Sequence, residues 1–232
     1  MPVILDPAAT PEAIEARSFA IIDAELPEPR PFAGPLWEVA RRCIHALGDT
    51  AILPDLRLGE RALERGVAAL RAGCPVFTDT RMAAAGLPAR RMDRLGVEVV
   101  PLMGLDGVGE KARAQGITRA AAGIRMIADR LSGAIVLIGN APTALLALLE
   151  ELEGKDPEAA PALIVGMPVG FVNAAQSKEL LAQSPWPHFT LLGRKGGSAV
   201  AAASVNALAE LALRMGAETG GSGAQSRYPA SR

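Results

Sequence analysis

One histidine stands in a setting suited to proton transfer. The segment Arg41-Arg42-Cys43-Ile44-His45-Ala46-Leu47-Gly48-Asp49 reads as the end of a helix over Pro35–Leu47, with Gly48 as its left-handed stop. His45 falls in the last turn, where the helix macrodipole favours a cation, while the neighbouring arginines oppose one. An ordinary imidazole titrates near pH ~6.5, so such a residue can act as acid or base at neutral pH. Arg42 precedes it by three residues and shares its helix face, where a guanidinium fork could hold a carboxylate. On these residues alone, a cap or packing role for His45 stays open beside catalysis. A second cluster, Gly193-Arg194-Lys195-Gly196-Gly197-Ser198, opens a helix. Its backbone N–H groups could cradle an anion, or it could be an ordinary strand-to-helix turn.

The remaining chemistry is sparse. His188 lies between Pro187 and Phe189 at the start of a strand and reads as structural. Cys43 faces another side of its helix from Arg42 and His45, Cys74 begins a strand, and no thiol nucleophile is expected. Glu150, Glu151 and Glu153 read as a solvated helix end. There is no Walker A loop, no dinucleotide fingerprint after the first strand, no nucleophile elbow and no zinc spacing.

Composition narrows the classes further. The chain has 232 residues, a net charge of −1 and 3% aromatic residues, which argues against nucleic-acid binding by charge or stacking. Two cysteines are too few for a disulfide-stapled scaffold. The N-terminal stretch lacks the pattern of a secretory signal, so a cytoplasmic protein is expected. The longest apolar stretch, Ala134–Leu149, is broken by Gly139, Asn140 and Pro142. A spanning helix needs ~20 predominantly apolar residues, so no membrane span is expected. Of 24 basic residues only Lys111, Lys155, Lys178 and Lys195 are lysines. Genome composition would give this bias, and so would a polyanionic ligand.

Elements must position these groups. Short apolar runs at Cys74–Asp79, Val97–Leu102, Ala134–Asn140, Ala162–Pro168 and His188–Arg194 are continuous rather than alternating, as strands buried on both faces are. Helical stretches are expected at Glu60–Ala72, Arg81–Leu95, Thr118–Leu131, Ala141–Glu153, Val172–Gln183 and Ser198–Met215. Two more, Pro11–Glu25 and Pro35–Leu47, precede the first strand. This alternation predicts an α/β fold: a three-layer α/β/α sandwich on a five-stranded parallel sheet, with extra N-terminal helices. One domain over residues 8–215 and a disordered tail over 216–232 are expected. In such sheets ligands bind beyond the carboxyl ends of the strands. That rule places Thr78, Asp79, Thr80 and Arg81, then Asn140 and Thr143, then Met167 and Pro168, and finally Arg194, Lys195, Gly196, Gly197 and Ser198 at the edge where a ligand would sit.

The blocks Arg17–Glu25 (RSFAIIDAE), Arg41–Asp49, Gly116–Arg125 (GITRAAAGIR), Ile138–Glu150 (IGNAPTALLALLE), Gly166–Glu179 (GMPVGFVNAAQSKE) and Gly193–Ala203 (GRKGGSAVAAA) resemble the precorrin-8X methylmutase, or precorrin isomerase, family of cobalamin biosynthesis. The chain departs from the usual family pattern at Ala120, Asn173 and Gln176, which stand where serine, glycine and glutamate are common. The resemblance implies a flavodoxin-like sheet and an isomerase without cofactor or metal. Its reaction would be a methyl migration from C11 to C12 of a corrin precursor, yielding hydrogenobyrinic acid or its cobalt analogue. It implies a homodimer with substrate near the interface, and hand-over to other enzymes of the pathway. His45 matches the catalytic histidine, and Ser18 and Arg42 match substrate contacts. Arg119 is expected to pair with a substrate carboxylate. Thr80, Asn140, Gly196 and Gly197 join them only through the strand-end rule. The competing expectation is a tetrapyrrole-binding carrier that performs no reaction.

Overall fold

A computed structural model describes residues 10–220 of the chain. Two helices come first. Helix α1 (Pro11–Glu25) is capped by Thr10, whose side chain accepts from the Ala13 N–H, and α2 (Gly34–Leu47) ends at Gly48 with φ of 61°. A 3₁₀ turn, Thr50–Asp55, leads into strand β1 (Leu56–Leu58) and helix α3 (Glu60–Arg71). Then follow β2 (Val76–Thr78), α4 (Arg81–Ala85), α5 (Ala89–Arg94), β3 (Val99–Pro101), α6 (Val108–Gln115) and α7 (Arg119–Met126). The chain continues through β4 (Ile135–Ile138), α8 (Pro142–Leu152), β5 (Leu163–Gly166), α9 (Ala174–Gln183) and β6 (His188–Leu191) to α10 (Ser198–Gly220).

The strands form one sheet in the order β1-β6-β5-β4-β2-β3. Five are parallel, in the flavodoxin-like order expected of a doubly wound sheet. The sixth corrects the expected count: β1 runs antiparallel along β6, with Leu56 opposite Leu191. Three residues with Arg57 between two leucines are too short to register as an apolar run. Arg57 turns its guanidinium back onto the Pro54 and Leu56 carbonyls, at 2.8 and 2.9 Å.

Why the strand runs are continuous is plain from where their side chains go. Ile135 and Leu137 of β4 enter one core layer, with α2, α3 and α10, while Val136 and Ile138 enter the other, with α7 and α8. Successive side chains point to opposite faces, and here both faces are dry. α10 has the length and hydropathy of a membrane span. Its Val200, Ala201, Val205, Leu208 and Ala209 are instead buried in the first core layer.

Three helix expectations are corrected. The stretch Arg81–Leu95 is two helices, because Gly86 ends the first and Pro88 cannot continue it. Residues 118–131 form α7 and then a 3₁₀ turn over Ala128–Arg130. The last helix runs to Gly220, five residues into the stretch expected to be tail, by propagation from a well-packed helix body. Residues 221–232 of that tail lie outside the described residues.

Candidate active site

α1 and the last turn of α2 face each other across a cleft of about 340 Å³. Its walls bring together two of the residues singled out above, Ser18 and His45, with Ile22, Ile44, Asp49 and Thr50. The His45 ring is exposed, and its imidazole makes no hydrogen bond among the described residues. It meets the Phe19 ring edge-on, 5.6 Å between centroids and 75° between planes. The Arg41 and Arg42 guanidinium groups lie 4.4 and 5.2 Å from the same ring, so Phe19 is flanked by cations. Ser18 donates to the Ile14 carbonyl at 2.8 Å, which leaves its oxygen lone pairs open towards the cleft.

α1 has little apolar packing of its own: Ile22 is its buried residue, while Ile14 and Ile21 are exposed. Polar ties hold it instead. Asp23 accepts from Arg30 at 3.2 Å, the Trp37 indole at 2.9 Å and Arg41 at 2.8 Å. Arg42 shares the helix with His45 but does not line the cleft. It pairs with Glu15 of α1 at 2.8 Å and with Glu210 of α10, and Glu210 also accepts from Arg91 at 2.7 Å.

The carboxyl ends of the strands form a second centre. Asp79, fully buried after β2, accepts from the N–H groups of Gly139, Asn140 and Ala141 at 3.2, 2.7 and 2.8 Å. It thereby fixes the β4–α8 turn from the neighbouring strand, at the switch point of the sheet. Thr80 caps α4 through the Ala83 N–H and touches the Ser198 hydroxyl at 3.3 Å. Gly196 is required by close backbone approach, and Gly197 by its positive φ. A Cβ at Gly196 would lie 2.2 Å from the Met167 carbonyl oxygen, and Gly197 has φ of 128° and donates to that oxygen at 2.9 Å.

The two centres are joined. Lys195, just before Gly196, forms an ion pair with Asp49 in the wall of the His45 cleft. That ammonium, together with the Ala51 N–H, holds the Asp49 carboxyl below its ordinary range. Behind the turn, the fully buried Lys178 donates to the Lys195 carbonyl at 2.6 Å. Burial pushes the Lys178 ammonium down to about 8, with the Asp55 carboxylate opposing. The strand-end rule places Asp79 and Lys195 at this edge; the burial of Lys178 and the pairing of Lys195 with Asp49 were not found by sequence reasoning. The available signal was that two of only four lysines fall in this region of an arginine-rich chain.

Ion pairs also sort the arginines. Arg30, Arg41, Arg42, Arg91, Arg125, Arg130 and Arg214 have carboxylate partners inside the fold. Arg81, Arg119 and Arg194, all at the carboxyl edge, have none among the described residues. Arg119 is exposed at the start of α7, whose cap Thr118 bonds Thr143 of α8 at 2.8 Å. Asn140 is exposed on the same side of the sheet. The structure therefore groups Ser18 with His45 and Thr80 with the Gly196–Gly197 turn, while Arg119 and Asn140 are each exposed at the carboxyl edge. Large apolar side chains stand exposed beside these cations: Met82, Phe171 and Val172, with Arg194 stacked 5.2 Å from the Phe171 ring. Such an edge offers cations for carboxylates and apolar surface for a broad ring.

Neither thiol suits nucleophilic work. Burial pushes Cys43 up to about 12 and Cys74 up to about 11. Both are expected to react with a disulfide reagent at pH 7.5 at least about tenfold more slowly in the native protein than in guanidinium. Fast native labelling would contradict this burial. His188 is tied into its strand, its Nδ1 donating to the Trp186 carbonyl at 2.7 Å. Among the described residues no cluster of three or more His, Cys, Asp or Glu side chains could hold a metal ion.

The profile of the precorrin-8X methylmutase family matches residues 13–211. The chain belongs to this family. It is 44% identical over 200 residues to the precorrin-8X methylmutase of Pseudomonas aeruginosa, covering 85% of this chain and 94% of that one. It is 39% identical over 202 residues to the cobalt-precorrin-8 methylmutase of Priestia megaterium, covering 87% and 88%. A crystal structure of precorrin-8X methylmutase from Thermus thermophilus superposes with a TM-score of 0.79 at 41% identity, covering 88% of this chain and 99% of that one. Methylmutases are isomerases, and the three departures from the family pattern are physically mild. Asn173 adopts φ of 61°, a region asparagine enters more readily than most residues. Gln176 is exposed, and Ala120 packs in the second core layer.

Proposed function

We propose that the protein is a methylmutase of cobalamin biosynthesis that converts precorrin-8X, or cobalt-precorrin-8, by moving a methyl group from C11 to C12. The observation that carries this reading is the His45 cleft, in a chain matched to the family over nearly all of its described length. The reaction needs neither nucleophile nor redox partner. It needs a proton delivered to the conjugated ring as the methyl leaves C11 and reclaimed once it rests on C12, so no atom is gained or lost. His45 fills that role: its imidazole is exposed in the cleft and uncommitted. The Ser18 hydroxyl across the cleft can accept from or donate to the substrate. Arg119, Asn140, Thr80 and the Gly196–Gly197 turn hold the peripheral carboxylates, remote from the migrating methyl. Arg42 reaches substrate by exchanging its partly exposed partner Glu15 for a substrate carboxylate.

The protein works in the cytoplasm as a homodimer with the site near the subunit interface, and passes its product to the next enzyme of the pathway. Purified protein given an excess of precorrin-8X, with and without cobalt, tests the reading through the absorption spectrum. Many turnovers per protein are expected with one of the two substrates. A single stoichiometric binding event with no conversion of either would instead establish a carrier.

A further inference from the structure

A lysine whose ammonium is sealed from water needs a purpose that outweighs its desolvation. Lys178 of α9 is fully buried and lies outside the cleft, yet its Nζ is 2.6 Å from the carbonyl of Lys195. That carbonyl belongs to the turn whose side chain pairs with Asp49, and Asp49 lines the His45 cleft. The other Asp49 oxygen accepts from the Ala51 N–H at 2.9 Å and so caps the 3₁₀ turn Thr50–Asp55. That turn ends in Asp55, whose carbonyl accepts from the Leu192 N–H at 2.9 Å. The contacts close into a ring: the Lys195 turn, Asp49, the 3₁₀ turn, and back through the Asp55 carbonyl to Leu192, with Lys178 holding the turn from behind. Nothing in the ring itself is a buried charge.

We infer that Lys178 is a positioning residue: from outside the substrate cavity it fixes the Lys195–Gly197 turn and, through the Lys195–Asp49 pair, aligns the carboxylate-holding turn with the His45 cleft. This rests on the function proposed above. The ammonium never touches substrate. It acts by holding one carbonyl with a charge-assisted bond, which is shorter and stronger than a neutral one. Gly196 presses on the Met167 carbonyl just beyond, so a released turn has one anchored side and one free side. Looser positioning weakens the grip on substrate groups remote from the migrating methyl, and such groups are held equally in ground and transition states. The loss therefore falls on KM and not on kcat.

The test compares the full chain with Lys178→Met, which keeps the shape of the side chain and removes its donor, and with Lys195→Met, which cuts the ring at a surface ion pair. Hydrogen–deuterium exchange reads the turn directly and needs no substrate. In Lys178→Met, amides in residues 192–200 are expected to exchange about tenfold faster than in the unaltered protein. KM is expected to rise about tenfold with kcat within about threefold. A folded Lys178→Met with unchanged exchange and unchanged KM overturns the inference. Should that variant fail to fold, Lys195→Met decides: a raised KM supports the ring and an unchanged KM overturns it. If the unaltered protein converts neither precorrin-8X nor its cobalt form, the proposed function fails while the exchange result still judges the positioning claim.

Discussion

His45→Ala is expected to fold, to bind the corrin substrate and to turn it over about 10²–10⁴ times more slowly, the usual contribution of a positioned acid–base group. The fold should tolerate the change because the ring is exposed and makes no hydrogen bond among the described residues. What it gives up is the edge contact with Phe19, worth about 0.5–1.5 kcal/mol. Substrate affinity should stay within about threefold, because the groups proposed to hold the carboxylates lie elsewhere and a proton donor acts mainly in the transition state. Spectral conversion under multiple turnover and a product-binding titration separate the two quantities. Turnover at the unaltered rate would remove His45 from the mechanism. Loss of affinity in step with rate would make it a binding residue.

Gly196→Ala is expected to destabilise the protein by about 3 kcal/mol and to lower substrate affinity. The new methyl would sit 2.2 Å from the Met167 carbonyl oxygen and 2.9 Å from that of Pro168. Both are backbone atoms where the chain leaves β5, so no flexible side chain can yield. Either the turn lifts off β5 and breaks the Gly197–Met167 bond, or the end of β5 shifts beneath it. Denaturant unfolding gives the stability change, and Gly109→Ala is the reference. Gly109 is helical with nothing within 4 Å of an added Cβ, so alanine there should be neutral or stabilising by up to about 1 kcal/mol. Equal midpoints for the two variants would show that the tight approach at Gly196 is not needed.

Particular residues show what sequence could and could not reveal. The five parallel strands were legible because both faces of each are buried, which leaves an unbroken apolar run. β1 was not, because three residues with a charged centre carry no pattern. The i, i+3 spacing placed Arg42 beside His45. It could not show that Glu15 and Glu210, from two other helices, would claim the guanidinium. Ser18 and His45 share a cleft across two helices, a meeting that no spacing within either one encodes. Lys178 was visible only as a member of a motif, since burial depends on what closes over α9. The strand-end rule placed Thr80, Asn140 and the Gly196–Gly197 turn at the carboxyl edge, because connection geometry follows from strand order.

The short antiparallel strand bears on the aggregation of the chain. A sheet edge is a template for another strand, and an open one invites chains to zip together into aggregates. β1 caps the β6 edge with three residues, and Arg57 keeps two nearby carbonyls occupied with its own guanidinium. The opposite edge ends in Pro101, which has no N–H to offer. Both borders of the sheet are poor templates, so strand-to-strand growth is suppressed. Any contact between copies of the chain is thereby left to helix and loop surfaces.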